Sequence, residues 1–351
     1  MKALFILGKA SISPQGFGAS APLPPTPYTY EERALVAVEP DYKEEMSPLD
    51  LRRMNKSMKM GVWCAKKALG EAGIPQPDAI ITATGLGCLQ DTVNFLKTII
   101  DSDETAQAPT YFISSTHNSV SGQLALRLKS TLYNYTYCHK SLSLYSALLD
   151  ASLHAEENSR SVVLVGALDE HVDVKFRHYD LRGWWRKEPV HNLRLYQESL
   201  PGTLSGEGCH YFVLSASPSE GVAITRMAAV EEANESQIER LTMEMLEGQS
   251  EKETLVLLGL SGDEPSDGVY HKLRRTLLSS FVVGAFRHLC GVYHTSDGFA
   301  LYLADQVLRD ASAPAYLFPE PLQSLPIVPR SVVIYTHLRG SGHVWYRLEK
   351  L

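Results

Sequence analysis

At 351 residues the chain is long enough for two domains or one large duplicated unit. Its 44% hydrophobic and 21% charged content is that of a globular protein, and a net charge of -7 argues against nonspecific attraction to nucleic acid or an anionic membrane surface. Five widely spaced cysteines, Cys64, Cys88, Cys138, Cys209 and Cys290, lack any CxxC or Cys/His spacing, which excludes a disulfide framework or zinc motif and points to a reducing compartment.

In chain order, Lys2 to Leu7 reads as a first strand ended by Gly8, its apolar run being too short for a signal peptide. Nothing reaches the roughly 18 apolar residues of a membrane span, so a cytoplasmic protein is expected. A Pro-rich loop follows from Pro14 through Pro22 to Pro27. Ser47, as cap, and Pro48 open a long helix or helix pair that lasts to Gly73. Asp78 to Thr84 is a strand of the continuously apolar kind found inside parallel sheets, turned by Gly85-Leu86-Gly87. The spacing then predicts a helix over Asp91 to Ile100, a helix over Ser119 to Lys129, a strand over Tyr133 to Tyr137, another helix, and a strand over Ser161 to Val165.

A second alternating block has strand Tyr211 to Ser215, helix Glu235 to Leu246, strand Thr254 to Leu260, and helices Tyr270 to Phe286 and Gly298 to Asp310. It ends in strands Val332 to Tyr335 and Val344 to Leu348. The alternation is that of an α/β protein, and two blocks of one style suggest duplicated halves, 1–215 and 216–351.

The stretch Asn134 to Ala151, NYTYCHKSLSLYSALLDA, is the most informative. It resembles the nucleophile elbow of β-ketoacyl synthases, in which an Asn-x-Thr strand turns sharply into a small-residue helix and a cysteine lies seven residues after the Asn. Counting from Asn134, or back from Ala147-Leu148-Leu149-Asp150-Ala151, places Ser141 at that cysteine. Three more segments resemble the same family in the right order. They are Ser205-Gly206-Glu207-Gly208 before Tyr211, the strand from Ser161 with Gly166-Ala167-Leu168-Asp169-Glu170, and Thr336 to His343, which is similar to a Gly-rich loop with a gating phenylalanine. Arg339 stands in that phenylalanine's place. The resemblance implies a thiolase-like, five-layer αβαβα fold of two related halves.

The catalytic positions depart from the family together. Aligning on Pro265 puts Leu260 where the first histidine belongs, and Arg287 to Val292 replaces the Lys-x-x-x-Gly-His segment, with Arg287 at the lysine and Val292 at the second histidine. A thiol at a helix N-terminus is readily ionised, whereas serine stays a neutral alcohol without a base. Leu and Val also offer no donor to a developing enolate. The pattern looks most like a chain-length factor, a cysteine-free subunit that pairs with a competent β-ketoacyl synthase and shapes its acyl tunnel. The opening with Ile12-Ser13-Pro14-Gln15-Gly16 and the run Cys290 to Ala300 resemble the small type of aryl-polyene and flexirubin pigment clusters.

That resemblance implies a heterodimer with a synthase or a homodimer, contact with an acyl carrier protein, no cofactor and no metal. It places the Tyr133 to Tyr137 strand near the dimer interface and Phe95 and Arg339 along the acyl tunnel. Ser141 reads otherwise as a helix cap, for which serine is well suited. A rival reading makes it the nucleophile of an acyltransferase or hydrolase using His294 or His139, and a third makes the chain a homodimeric acyl-binding protein. Cys138 reads as a buried structural thiol, and His117 and His288 as satisfied polar residues. Trp184-Trp185, flanked by Arg182, Arg186 and Lys187, reads as a docking patch for an acidic carrier or a partner subunit, or as a lid packed on the core. Gly206, Gly208, Gly340 and Gly342 read as turn residues needing positive φ.

Overall fold

The computed structural model describes residues 2–19, 24–105, 109–198, 200–218, 220–322 and 327–351. Its ten principal strands are β1 (Leu4–Ser13), β2 (Ala79–Ala83), β3 (Tyr133–Tyr137), β4 (Val162–Asp169), β5 (Gly208–Ser215), β6 (Val222–Val230), β7 (Thr254–Leu258), β8 (Val282–Ala285), β9 (Ser331–Leu338) and β10 (Ser341–Lys350). The helices that bear on function are α1 (Lys56–Ala72), α2 (Leu89–Asp101), α3 (Pro109–Ser114), α4 (Ser119–Leu128), α5 (Ser143–Glu157), α6 (Asp173–Leu181), α7 (Glu235–Leu246), α8 (Glu264–Arg275) and α9 (Asp297–Asp310).

The strands run in the order β8-β7-β9-β10-β6-β1-β5-β4-β2-β3, so the first five follow the same path outward from the middle as the last five. In each set the second strand in sequence is parallel to both its neighbours: β2 to β3 and β4, and β7 to β8 and β9. The two sets join through Leu4 and Phe5 against Ile224 and Ala223. Helices α1 and α4 pack on one outer face and α7 on the other, while α5 and α9 touch strands of both sets. This gives the layers αβαβα, a thiolase-like fold of the ketosynthase type. The middle position explains α9, whose residues 297–308 are all buried. A helix apolar on every side needs neighbours on every side.

One buried ion pair ties the layers together. Lys9 Nζ lies 2.6 Å from Asp305 Oδ2, and both side chains are fully buried. Burial lowers the Lys9 pKa, and the Asp305 carboxylate opposes that shift.

Several boundaries differ from the sequence reading, each for a physical reason. Gly8 does not end β1, which runs on to Ser13 past a register shift between Ile6 and Gly8. Its missing side chain serves close packing instead, since a Cβ there would lie 2.4 Å from the Ala68 carbonyl of α1. The predicted helix over Tyr270 to Phe286 is instead α8, begun at Glu264 with Pro265 in its first turn and ended at Thr276, followed by β8. The short apolar run Phe281-Val282-Val283 is ambiguous by periodicity, and parallel pairing with β7 decides it. Strand β6 and helix α6 have no counterpart in the sequence reading. β6 carries no clean alternation of buried and exposed residues, and α6 buries no residue.

Candidate functional site

At the elbow, β3 stops at Tyr137, Lys140 takes a left-handed φ of 47°, and a single 3-10 turn over Lys140–Leu142 leads into α5. The hydrogen bonds of this turn belong to Ser143, not Ser141. The Ser143 hydroxyl accepts from His139 N at 2.7 Å and faces the carbonyls of Thr84 at 2.9 Å and Lys140 at 2.7 Å. Ser141 caps neither the turn nor α5, whose N-cap position is Leu142 with no side-chain cap bond. Among the described residues the Ser141 hydroxyl has no hydrogen-bond partner, and the β9–β10 hairpin lies on it: a Cβ on Gly342 would come within 1.9 Å of Ser141 Oγ.

Neither candidate base is engaged with Ser141. His139 is largely exposed, with Nε2 3.9 Å from Glu231 Oε2. His294 is buried against Gly85, neither ring nitrogen has a hydrogen-bond partner, and burial lowers its pKa. Cys138 is exposed rather than buried, because β3 ends one residue before it; its thiol donates to the Gly85 carbonyl at 3.4 Å.

The lost-histidine positions do not share one cavity. Val292 lies with Trp184, Ser261, Asp263, Arg287, His337 and Arg339 around a void of about 10 Å³. Leu260 lines a separate void of about 30 Å³ with Tyr196 and Asp267, and its carbonyl accepts from the Tyr196 hydroxyl at 2.9 Å. Val292 is held by its backbone, its N–H donating to Leu204 O at 2.8 Å and its carbonyl accepting from Gly206 N at 3.1 Å. Arg287 is buried and donates from Nη1 to Gly259 O at 2.8 Å.

Arg339 and Gly340 form the two-residue loop between Leu338 and Ser341, with φ of 52° and 81°. Positive φ at both places marks a type I′ hairpin, where Asn, Asp and Gly are at ease and a longer side chain costs about 1–3 kcal/mol. Arg339 Nη1 donates to Asp263 Oδ2 at 2.6 Å, and its guanidinium lies 5.3 Å from the Trp184 ring centre. Trp184 stacks on Tyr179 of α6 with centroids 4.2 Å apart, and Trp185 is buried, so the tryptophan pair is a lid over this region.

Gly340 and Gly342 have positive φ, but Gly206 and Gly208 do not. Those two are needed for close approach: a Cβ on Gly206 would meet the Cys290 carbonyl at 2.0 Å, and one on Gly208 the Tyr293 hydroxyl at 2.5 Å. Between them the buried Glu207 carboxylate accepts from Lys56 Nζ at 2.6 Å, Ala37 N at 2.9 Å and His171 N at 2.7 Å.

His337 went unread in the sequence, where its loop was noticed for its glycines. Its Nδ1 accepts from Gly340 N at 3.0 Å, its ring stacks on Tyr270, and Nε2 has no partner. Burial keeps it neutral, holding its pKa well below the usual histidine value. Among the described residues no group of three or more His, Cys, Asp or Glu is arranged to hold a metal ion, and no helix is long and apolar enough to cross a membrane.

At the opposite extreme lies β3, the edge of the sheet. Tyr133, Tyr135 and Tyr137 project to one side, as residues two apart on a strand must, and the rings of Tyr135 and Tyr137 sit 4.9 Å apart. Tyr135 is 50% exposed, and Leu149 and Leu153 of α5, Leu126 of α4 and Phe112 and Ile113 of α3 are exposed as well. Phe95 of α2 is half-buried with its ring against Phe112 at 5.4 Å.

A thiolase-like fold with a sharp strand-to-helix elbow defines a ketosynthase-type protein. The chain belongs to the β-ketoacyl synthase family: the family model described as "Beta-ketoacyl synthase, N-terminal domain" matches residues 30–205. It is similar to a solved structure titled "The ishigamide ketosynthase/chain length factor", at 14% identity and a TM-score of 0.79, covering 100% of this chain and 99% of that one. It is also similar to a ketosynthase (ApeO) in complex with its chain length factor (ApeC) from Xenorhabdus doucetiae, at 14% identity and a TM-score of 0.78, covering 100% and 98%. A β-ketoacyl synthase from Burkholderia phymatum STM815 aligns over the full length of both chains at 12% identity and a TM-score of 0.77. No curated protein matches the sequence.

Proposed function

We propose that this chain is a noncatalytic, chain-length-factor-like subunit that pairs with an active β-ketoacyl synthase and shapes that partner's acyl tunnel in fatty-acid or polyketide-type polyene biosynthesis. Its halves, 1–215 and 216–351, would be two copies of one ancestral unit, consistent with the repeated strand order. The observation that carries the reading is Ser141, which stands at the nucleophile position with no base hydrogen-bonded to it among the described residues and with the β9–β10 hairpin resting on it. A serine enzyme needs a base within about 3.2 Å of the hydroxyl. His139 turns to Glu231 and His294 is buried against Gly85, so the acyltransferase or hydrolase reading lacks its second residue.

The exposed tyrosine edge of β3 supports pairing, because an unpaired strand with an apolar face is a template for association. The partner expected there is a synthase subunit, and an acyl carrier protein would deliver the substrate to the complex. Phe95, whose ring packs on Phe112, would bound the length of chain that fits. The test is to co-express the chain with a ketosynthase encoded beside it and compare native mass and products for wild type and Ser141→Ala. A heterodimer whose turnover is unchanged by Ser141→Ala is expected. Turnover that depends on Ser141 would refute the noncatalytic role.

A further inference from the structure

Arg339 is a poor choice for a left-handed turn position on backbone grounds, so the reason for an arginine has to lie in its side chain. That side chain reaches two other parts of the molecule. It pairs at 2.6 Å with Asp263, whose carboxylate is almost wholly buried ahead of α8, and its guanidinium covers Trp184. The other oxygen of Asp263 is occupied by Gly202 N at 2.7 Å, which fixes the carboxylate in place. On its far side the same hairpin is held by Glu231: Gly342 N donates to its backbone carbonyl at 2.7 Å, and Ser341 Oγ donates to Oε1 at 3.0 Å. Between these two anchorages Gly342 rests on Ser141. On the Asp263 side of the hairpin the void among Trp184, Arg287, Val292, His337 and Arg339 is about 10 Å³, at the lower limit for one water, while Ser141 on the other side stays part-buried under Gly342.

We propose that Arg339 is a latch: its ion pair with Asp263 and its stacking on Trp184 hold the β9–β10 hairpin shut over residue 141, excluding acyl thioesters from this subunit's own elbow and leaving them to its partner. The inference rests on the noncatalytic reading and deepens it, by giving the exclusion a steric cause that is separate from the missing nucleophile. Arginine suits the task because its flat guanidinium can pair with a carboxylate and stack on a ring at once, which a lysine ammonium cannot.

The test uses the full chain carrying Cys138→Ser, since Cys138 is exposed and the other four cysteines are buried. Ser141→Cys then places a reporter thiol under the hairpin, and its alkylation by iodoacetamide is followed by intact mass. With Arg339 present, the introduced thiol should react at least tenfold more slowly than in the Arg339→Asn variant, where asparagine still accepts the left-handed turn. Arg339→Lys should fall between the two. Asp263→Asn, which keeps an acceptor for Gly202 N and loses the charge, serves as a second variant and should also accelerate the reaction. Equal rates with and without the latch, in whichever of these variants melts cooperatively, would overturn the proposal. That result would leave the noncatalytic reading standing, because that reading fails on a different observation, a Ser141-dependent acyl adduct on the unsubstituted chain.

Discussion

The elbow and the sheet edge stand a strand's length apart and are built on opposite terms. At the elbow the chain packs on itself: Gly342 lies on the part-buried Ser141, Arg339 reaches Asp263, and its guanidinium lies on Trp184. At the edge, Tyr133, Tyr135, Leu149 and Leu153 are each at least 41% exposed. Apolar surface is retained against solvent where another molecule covers it, and a reaction centre cannot work where substrate has no room. The contrast supports the proposed noncatalytic role, in which the chain binds and a partner does the chemistry.

The largest expected effect breaks the open side. Tyr135→Glu puts a charge in the middle of the exposed edge and should abolish association with a synthase partner, or self-association, read as a shift to monomer mass by light scattering while the melting transition stays cooperative. Next comes the core that both regions share. Asp305→Ala leaves Lys9 charged and buried beside Arg309, and should cost about 3–5 kcal/mol in urea unfolding. Gly342→Ala attacks the closed side, because its Cβ must displace Ser141 Oγ at a φ of 60°; a loss of about 1–3 kcal/mol is expected, with the hairpin as the first element to lose hydrogen-exchange protection. Phe95→Ala tests the proposed tunnel in a functional assay, and should lengthen the products of the complex without changing its assembly.

A further effect is a pH slope. Burial pushes the Asp297 carboxyl up to about 7, and only its Oδ2 is engaged, by the Tyr346 hydroxyl at 2.7 Å. Below about pH 4 both the folded and the unfolded chain hold this proton, so the group has no effect there. From about 4 to 7 the unfolded chain releases it and the folded chain keeps it, so stability falls as pH rises through that window and then levels. Asp297→Asn should flatten that part of a melting-temperature profile; an unchanged slope would assign it to other groups. His337 acts in the opposite sense. Its depressed pKa gives stability that is present above the unfolded histidine value of about 6.5 and is lost as pH falls below it.

How much of this was legible in the sequence follows the reach of each interaction. The strand Asp78 to Thr84, the helix over Glu235 to Leu246 and the strand Tyr133 to Tyr137 depend on near neighbours, and local pattern is enough to find them. That Ser143 rather than Ser141 makes the side-chain hydrogen bonds of the turn depends on the left-handed backbone at Lys140, which no count from Asn134 resolves. Arg339 and Asp263 are 76 residues apart, and their pairing exists only because β9 and the start of α8 converge. Leu260 and Val292 match the histidine positions by motif alone, and it is Ser261, not Leu260, that lines the void beside Val292. Helix α6 buries no residue, so it carried no amphipathic signal to read.

The central claim, that residue 141 does no covalent chemistry, is tested most directly by the intact mass of the purified chain after incubation with short and medium acyl thioesters, beside a Ser141→Ala control. The account predicts the unmodified mass for both proteins. An acyl adduct on the wild-type chain that disappears in Ser141→Ala would contradict it and make this protein an acyl-transferring enzyme.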